Sequence, residues 1–135
     1  MRRVGCFRVN STLKGFAKHQ ASFVATIKIY PCGPAPDQRN NPARNGIRWA
    51  FCFEEDYQLK LKGHPLSVCD IWPEFLDKNG NTIIDDRPLI GTYNAKMHIL
   101  FKENAEGYLA KLRQNPKFYC IEFFAVAEGI VTEFL

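Results

Sequence analysis

Five cysteines (Cys6, Cys32, Cys52, Cys69, Cys120) and three histidines (His19, His64, His98) are the residues of this 135-residue chain best suited to hold a metal or to act as nucleophile and base. Their spacing argues against both roles. No two cysteines form a CxxC pair, and the histidines show neither HxxxH nor HxH spacing. Structural zinc sites usually contain at least one close ligand pair, so no metal site is expected. An odd, scattered cysteine set suits a reducing compartment. Cys52 falls in an alternating run and reads as a small buried or half-buried hydrophobe. Cys32, between Pro31 and Gly33, is the cysteine best placed for exposure, as an incidental loop thiol. The segment Asp77-Lys-Asn-Gly-Asn81 has the look of a calcium loop, but Gly80 comes too early and the bidentate glutamate is missing. A hairpin turn centred on Asn79-Gly80 explains it better. Asp85 and Asp86 stand beside Arg87 with no nucleophile to serve, and read as a solvated turn. GxSxG, GxGxxG and GxxxxGK[ST] are all missing, so neither catalysis nor a bound cofactor is expected.

The elements that must carry these residues are mostly strands. In Phe23–Tyr30 the residues Phe23, Ala25, Ile27 and Ile29 share one face, and in Ile47–Phe53 the residues Ile47, Trp49, Phe51 and Phe53 do the same. Leu66–Phe75, Thr82–Ile84, Ala95–Phe101, Phe118–Ala127 and Ile130–Leu135 are further candidates, and Val4–Val9 has the pattern of another. Turn signals separate them at Cys32–Pro36, Asp77–Asn81, Arg87–Pro88 and Glu128–Gly129. Only Asn104–Arg113 has helical character, with Asn104 as a cap, and Gly107 inside it predicts a short helical turn or a loop. Short strands with such punctuation predict an all-β fold, a barrel or a sandwich. A closed six- to seven-stranded Greek-key barrel removes the apolar edges that the alternative would expose. The stretch Pro31–Gly46 is long for a connector in a compact domain and is a candidate functional loop.

Composition bounds the rest. The length suits one domain with its own core, and 46% hydrophobic residues exclude general disorder. No apolar run approaches the ~20 residues of a membrane span, and the start lacks the apolar stretch of a signal peptide, so a cytoplasmic protein without a membrane partner is expected. The formal net charge of +4 is unevenly placed: residues 1–48 hold nine basic groups and one acid, Asp37. That third is the part expected to meet an anionic partner. Arg2, Arg3, Arg8, Lys14 and Lys18, then Arg39, Arg44 and Arg48, with Phe7, Phe16 and Tyr30 as stacking aromatics, form the raw material of an RNA-binding barrel. A solvated face of a mildly basic protein accounts for the same residues.

The segment from Arg39 through Pro42, Gly46 and Arg48 to Phe51 and Phe53 resembles the third, C-terminal β-barrel domain of bacterial elongation factor Tu. There an F-x-A-x-(V/I) strand leads to R-x-x-P-x-x-x-G-Y-R-P-Q-F-Y-F. Phe23, Ala25, Ile27 and Ile29 match the strand, and the six residues above follow without a gap. Gly91, Asn94, Lys96 and Met97 are similar to the family's P-G-D-N-x-K-M with one residue inserted, and Gly129, Val131, Thr132 and Leu135 to its closing G-x-V-T-x-x-L. The resemblance covers residues 23–135 as a barrel domain and leaves residues 1–22 as a basic segment with room for one extra strand. It implies a non-catalytic domain, since GTP hydrolysis in that family belongs to a separate P-loop domain. It also implies contacts with proteins of translation, the exchange factor among them, and with the T stem of tRNA. Trp49-Ala50 stands where the family has Pro-Gln, and Asn40 where it often has histidine, which points away from a tRNA carrier. The expected function is a binding module acting through protein–protein contacts, as a mimic, decoy or immunity protein, with RNA binding as the alternative. The candidate binding residues are Arg39, Arg44, Arg48, Lys18 and Asn40, and no catalytic or metal-binding residue is assigned.

Overall fold

The alternation of Phe23, Ala25, Ile27 and Ile29 is realised as strand β1 (Phe23–Ile29), with all four side chains buried. The computed structural model describes residues 20–65, 69–101, 103 and 105–135. The expected strand Val4–Val9, Lys18 with the rest of the basic N-terminal segment through His19, residues Leu66–Val68 and the expected cap Asn104 lie outside the described residues. The other strands are β2 (Trp49–Phe53), β3 (Cys69–Phe75), β4 (Gly91–Ile99), β5 (Lys117–Ile121) and β6 (Ala125–Phe134). They close in the order β1-β4-β3-β2-β5-β6, every neighbouring pair antiparallel, with β6 returning to β1. Because β1 lies beside β4 and β5 beside β2, around the sequential run β2-β3-β4, the connectivity is a Greek key. The expected all-β barrel is thus present, with six strands among the described residues.

Rings fill the interior. Phe118 meets Phe23 and Phe51 edge-to-face at centroid distances of 5.9 and 6.0 Å, and Trp49 meets Phe75 at 6.1 Å. Pro73 sits inside β3 without loss because the β2 ladder ends at Trp49–Ile71, so no strand partner on that side needs its missing N–H. Helix α2 (Ala105–Gln114) packs Leu109 and Leu112 onto the same core and sets Tyr108 against Phe51 and Phe53. A full helix therefore replaces the short turn or loop expected there: burial of Leu109 and Leu112 outweighs the ~1 kcal/mol that Gly107 costs.

Three further expectations are corrected. Thr82–Ile84 is not a strand. Past the hairpin turn only Thr82 bridges to Leu76, after which Ile83 turns into the core. A hairpin turn is present at Asp77–Asn81, but it is a three-residue loop: Gly80 N–H donates to the Asp77 carbonyl at 3.0 Å, Gly80 alone of its residues takes a positive φ, and the Asp77 carboxylate accepts the Asn79 and Asn81 N–H groups. Phe118–Ala127 is not one strand either, since the chain reverses at 122–124, where Glu122 N–H donates to the Phe124 carbonyl at 2.9 Å. Glu128–Gly129 is no turn and lies within β6, with Gly129 opposite Phe118. A Cβ at Gly129 would overlap the Phe118 ring, with its Cε atoms at 2.7 and 2.8 Å. Glycine is required here by the ring and not by a bend.

Helix α1 (Glu54–Leu61) went unread because it buries no residue fully and so shows no apolar stripe. Its charge pattern is informative: Glu54, Glu55 and Asp56 occupy the first turn and Lys60 the last, in the sense that favours the helix dipole. The helix folds back over the outer face of β2 and β5, stacking Tyr57 on Tyr119 at 4.1 Å. This is why Cys52 and Ile121 are buried although they point away from the barrel interior.

Gly129→Ala is expected to destabilise the barrel by about 1–3 kcal/mol through overpacking against Phe118. Adding Phe118→Leu should return part of that loss. Thermal denaturation of the two single variants and the double variant measures the coupling, which is zero if the ring is not the cause.

Candidate functional site

One end of the barrel gathers the two long loops, residues 30–48 and 76–90, with the β5–β6 turn at 122–124. A loop over a barrel mouth must find partners for its backbone groups, and here Asn45 supplies them. Its side chain is buried, and its Nδ2 donates to the carbonyls of Phe75 (3.2 Å) and Ile83 (2.7 Å). Its Oδ1 accepts the Phe75 N–H at 2.9 Å and the Gly46 N–H at 3.2 Å. Gly46 makes the turn into β2 at φ 99°, a conformation open to glycine. The Trp72 indole donates to the Gly46 carbonyl at 3.0 Å, and Leu89 N–H to the Ala43 carbonyl at 2.8 Å.

The candidate arginines diverge from this tie. Arg39 turns to the β5–β6 turn, where its guanidinium pairs with Glu122 while Nε donates to the Asn41 carbonyl at 3.0 Å. Glu122 also accepts the Trp49 indole N–H at 3.0 Å, so one carboxylate joins loop, core tryptophan and turn. Arg44 reaches the other loop and donates to the Asp86 carbonyl. Arg48 lies on the outer face with its guanidinium 4.6 Å from the centre of the Trp72 ring. Asn40 is exposed and shares with Arg39 a cleft of about 430 Å³ that Pro34, Pro36, Glu122 and Phe124 also line. Arg39 and Asn40 are therefore brought together, Arg44 and Arg48 are turned elsewhere, and Lys18 lies outside the described residues.

Sequence reasoning missed Glu122, Phe123 and Phe124. The only signal was a break in alternation, Glu122-Phe123-Phe124, inside a run read as one strand. Phe123 is 95% exposed at the tip of the turn. On the other side of the loop end, a groove of about 900 Å³ is lined by Lys78, Arg87, Ile90 and Tyr93 among others. Arg87 forks onto Asp85 with two contacts of 2.7 Å. That hydrogen bonding holds the Asp85 carboxyl below the usual carboxylate range and raises Arg87.

One cluster has catalytic residue types. On the outer face of β3 and β4, His98 Nε2 lies 2.9 Å from Glu74 Oε1, and the Thr82 hydroxyl donates to the other Glu74 oxygen. The carboxylate stands between the hydroxyl and the imidazole, so the imidazole is not placed to take the hydroxyl proton, and the three residues tie strands together. Among the described residues no group of three His, Cys, Asp or Glu could hold a metal, and no helix is long and apolar enough to cross a membrane. Burial pushes the Cys52 thiol up to about 11 and the Cys69 thiol up to about 12. Neither a protein-family model nor a curated protein matches the chain.

Two outcomes follow from this geometry. Asn45→Ala should lower stability by about 3 kcal/mol, because the buried Phe75 N–H and Ile83 carbonyl lose the amide while the Phe75 carbonyl keeps only the Ile83 N–H, and urea unfolding midpoints will measure it. Asn45→Asp should recover little, since its second oxygen would face the carbonyls of Phe75 and Ile83. Iodoacetamide at pH 8 should modify half-exposed Cys32 ahead of Cys52, Cys69 and Cys120, which stay protonated there and react after denaturation. Peptide mass mapping with time gives the order.

Proposed function

We propose that this barrel is a non-catalytic binding module that acts through protein–protein contacts, using the face built from Arg39, Asn40 and the β5–β6 turn. The observation that carries the reading is Phe123, a large aromatic side chain held almost wholly in solvent on a turn that Glu122 anchors to both Arg39 and Trp49. Phenylalanine and arginine are enriched at protein interfaces, where a few buried anchors carry most of the binding energy. The resemblance to the third domain of elongation factor Tu supports a partner from the translation machinery, with the barrel as a mimic or decoy of that domain, or as an immunity protein.

RNA binding is the second reading, favoured by the nine basic groups and single acid of residues 1–48. The charge at the loop end weighs against it. Arg39 is paired with Glu122 and Arg87 with Asp85, while Arg44 is bound to a carbonyl. Less positive charge is left to neutralise phosphates than the composition implies.

The test is competition between this protein and full-length elongation factor Tu for the factor's protein ligands, its exchange factor first. Competition that survives nuclease and falls at least tenfold in Phe123→Ala is the expected result. No competition with any ligand of the factor removes the mimicry. Binding to tRNA in a gel shift that weakens linearly with log salt, together with loss of all capture after nuclease, would put RNA in its place.

A further inference from the structure

A second cleft, of about 420 Å³, adjoins the first and has the chemistry of a receptor for an arginine side chain. It lies between the end of β1, the 31–38 segment, α1 and the start of β6. Tyr30, Tyr57 and Phe124 supply aromatic walls and Asp37 the one charge of the lining; Arg39, which lines a narrow recess sharing Asp37, is already paired with Glu122. The negative faces of aromatic rings attract cations, and a lone carboxylate among them sets the sign of the guest. Asp37 has no ion-pair partner among the described residues.

The walls are fixed before any guest arrives. Tyr57 is stacked on Tyr119, and the Tyr30 hydroxyl donates to Glu128 at 3.0 Å. Burial and then that hydrogen bond push the Tyr30 phenol upward, so its ring stays neutral at physiological pH. The segment bearing Asp37 is braced by Gly33 N–H on the Arg39 carbonyl at 3.0 Å and Gln38 N–H on the Ala35 carbonyl at 3.1 Å. The chain's own ammonium groups already gather on this aromatic surface, Lys117 at 5.4 Å from the Tyr119 ring and Lys60 at 6.0 Å from the Tyr57 ring. Neither lysine lines the cleft. The cleft shares Ala35, Gln38 and Phe124 with the one at Arg39 and Asn40, so a single partner segment can span both.

We infer that this cleft takes an arginine side chain presented by a protein partner, its guanidinium stacked on the aromatic lining and paired with the Asp37 carboxylate. A planar guanidinium suits the site better than an ammonium because it stacks on rings and forks onto a carboxylate at once. The inference rests on the protein–protein reading above and adds the chemistry of the partner.

The full chain is titrated with N-acetyl-arginine methylamide and with its neutral isostere N-acetyl-citrulline methylamide, followed by NMR of the tyrosine rings. Saturable shifts at Tyr30 and Tyr57 are expected with the arginine probe, and binding about tenfold weaker with citrulline. Asp37→Asn, an exposed position, should weaken the arginine probe by a similar factor at unchanged melting temperature. Equal binding of the two probes, or an Asp37→Asn variant that binds arginine as the parent does, overturns the inference. Phe123→Ala separates the two proposals, since it should leave the arginine probe unaffected while weakening competition with elongation factor Tu at least tenfold. Competition without arginine binding removes the cleft alone. Arginine binding without competition removes the translation partner alone.

Discussion

The side-chain amide of Asn45 is the tie on which the open end of the barrel depends. Two long loops cross that end, and backbone groups held there away from water need partners. A single amide, with donors and an acceptor in one rigid plane, serves the end of β3, the 76–90 loop and the turn into β2 together. The Ala43–Leu89 bridge and the Arg44 contact with Asp86 then fall into place around it. With the 30–48 loop held, Arg39 is set where it meets Glu122, and Glu122 fixes the turn that carries Phe123. The exposed aromatic is thus supported by a chain of contacts that starts at a buried asparagine.

The two ends of the barrel differ in kind. Helix α2 covers one with Tyr108, Leu109 and Leu112, and its apolar side chains join the core. The other is covered by loops bound through polar side chains, which leaves clefts between them. The arginines that composition marks as ligands for an anion act here first as struts. A guanidinium suits that role, because its several donors can bind a carboxylate and a carbonyl together, as Arg39 does. Positive charge in the sequence is therefore not the same as positive potential at the surface.

Helix α1 decides what lies on the flank. By folding back over β2 and β5 it buries Cys52, Tyr119 and Ile121 on the outer face, and it carries Tyr57 to within reach of the loop that holds Asp37. The helix has no strong apolar stripe, since its contact with the sheet runs through one stacked tyrosine and a few half-buried stems. Local pattern alone does not announce such an element.

Strand periodicity is a local property, so the sequence by itself determined β1, β2, the hairpin turn at Asp77–Asn81 and the all-β barrel class. Alternating burial needs only to know which side is wet. It did not determine where the Phe118–Ala127 run breaks, because both faces of β5 are covered and its alternation is lost. Nor could it separate a turn glycine from Gly129, whose missing side chain is required by a ring eleven residues earlier in the chain. The clefts were least legible of all. Arg39, Asn40 and Asp37 share one loop, but Glu122 and Phe124 of the β5–β6 turn and Tyr57 of α1 join the clefts from separate elements. Which side chains meet across a closed barrel depends on strand order and loop path, and those are set only when the whole chain has packed.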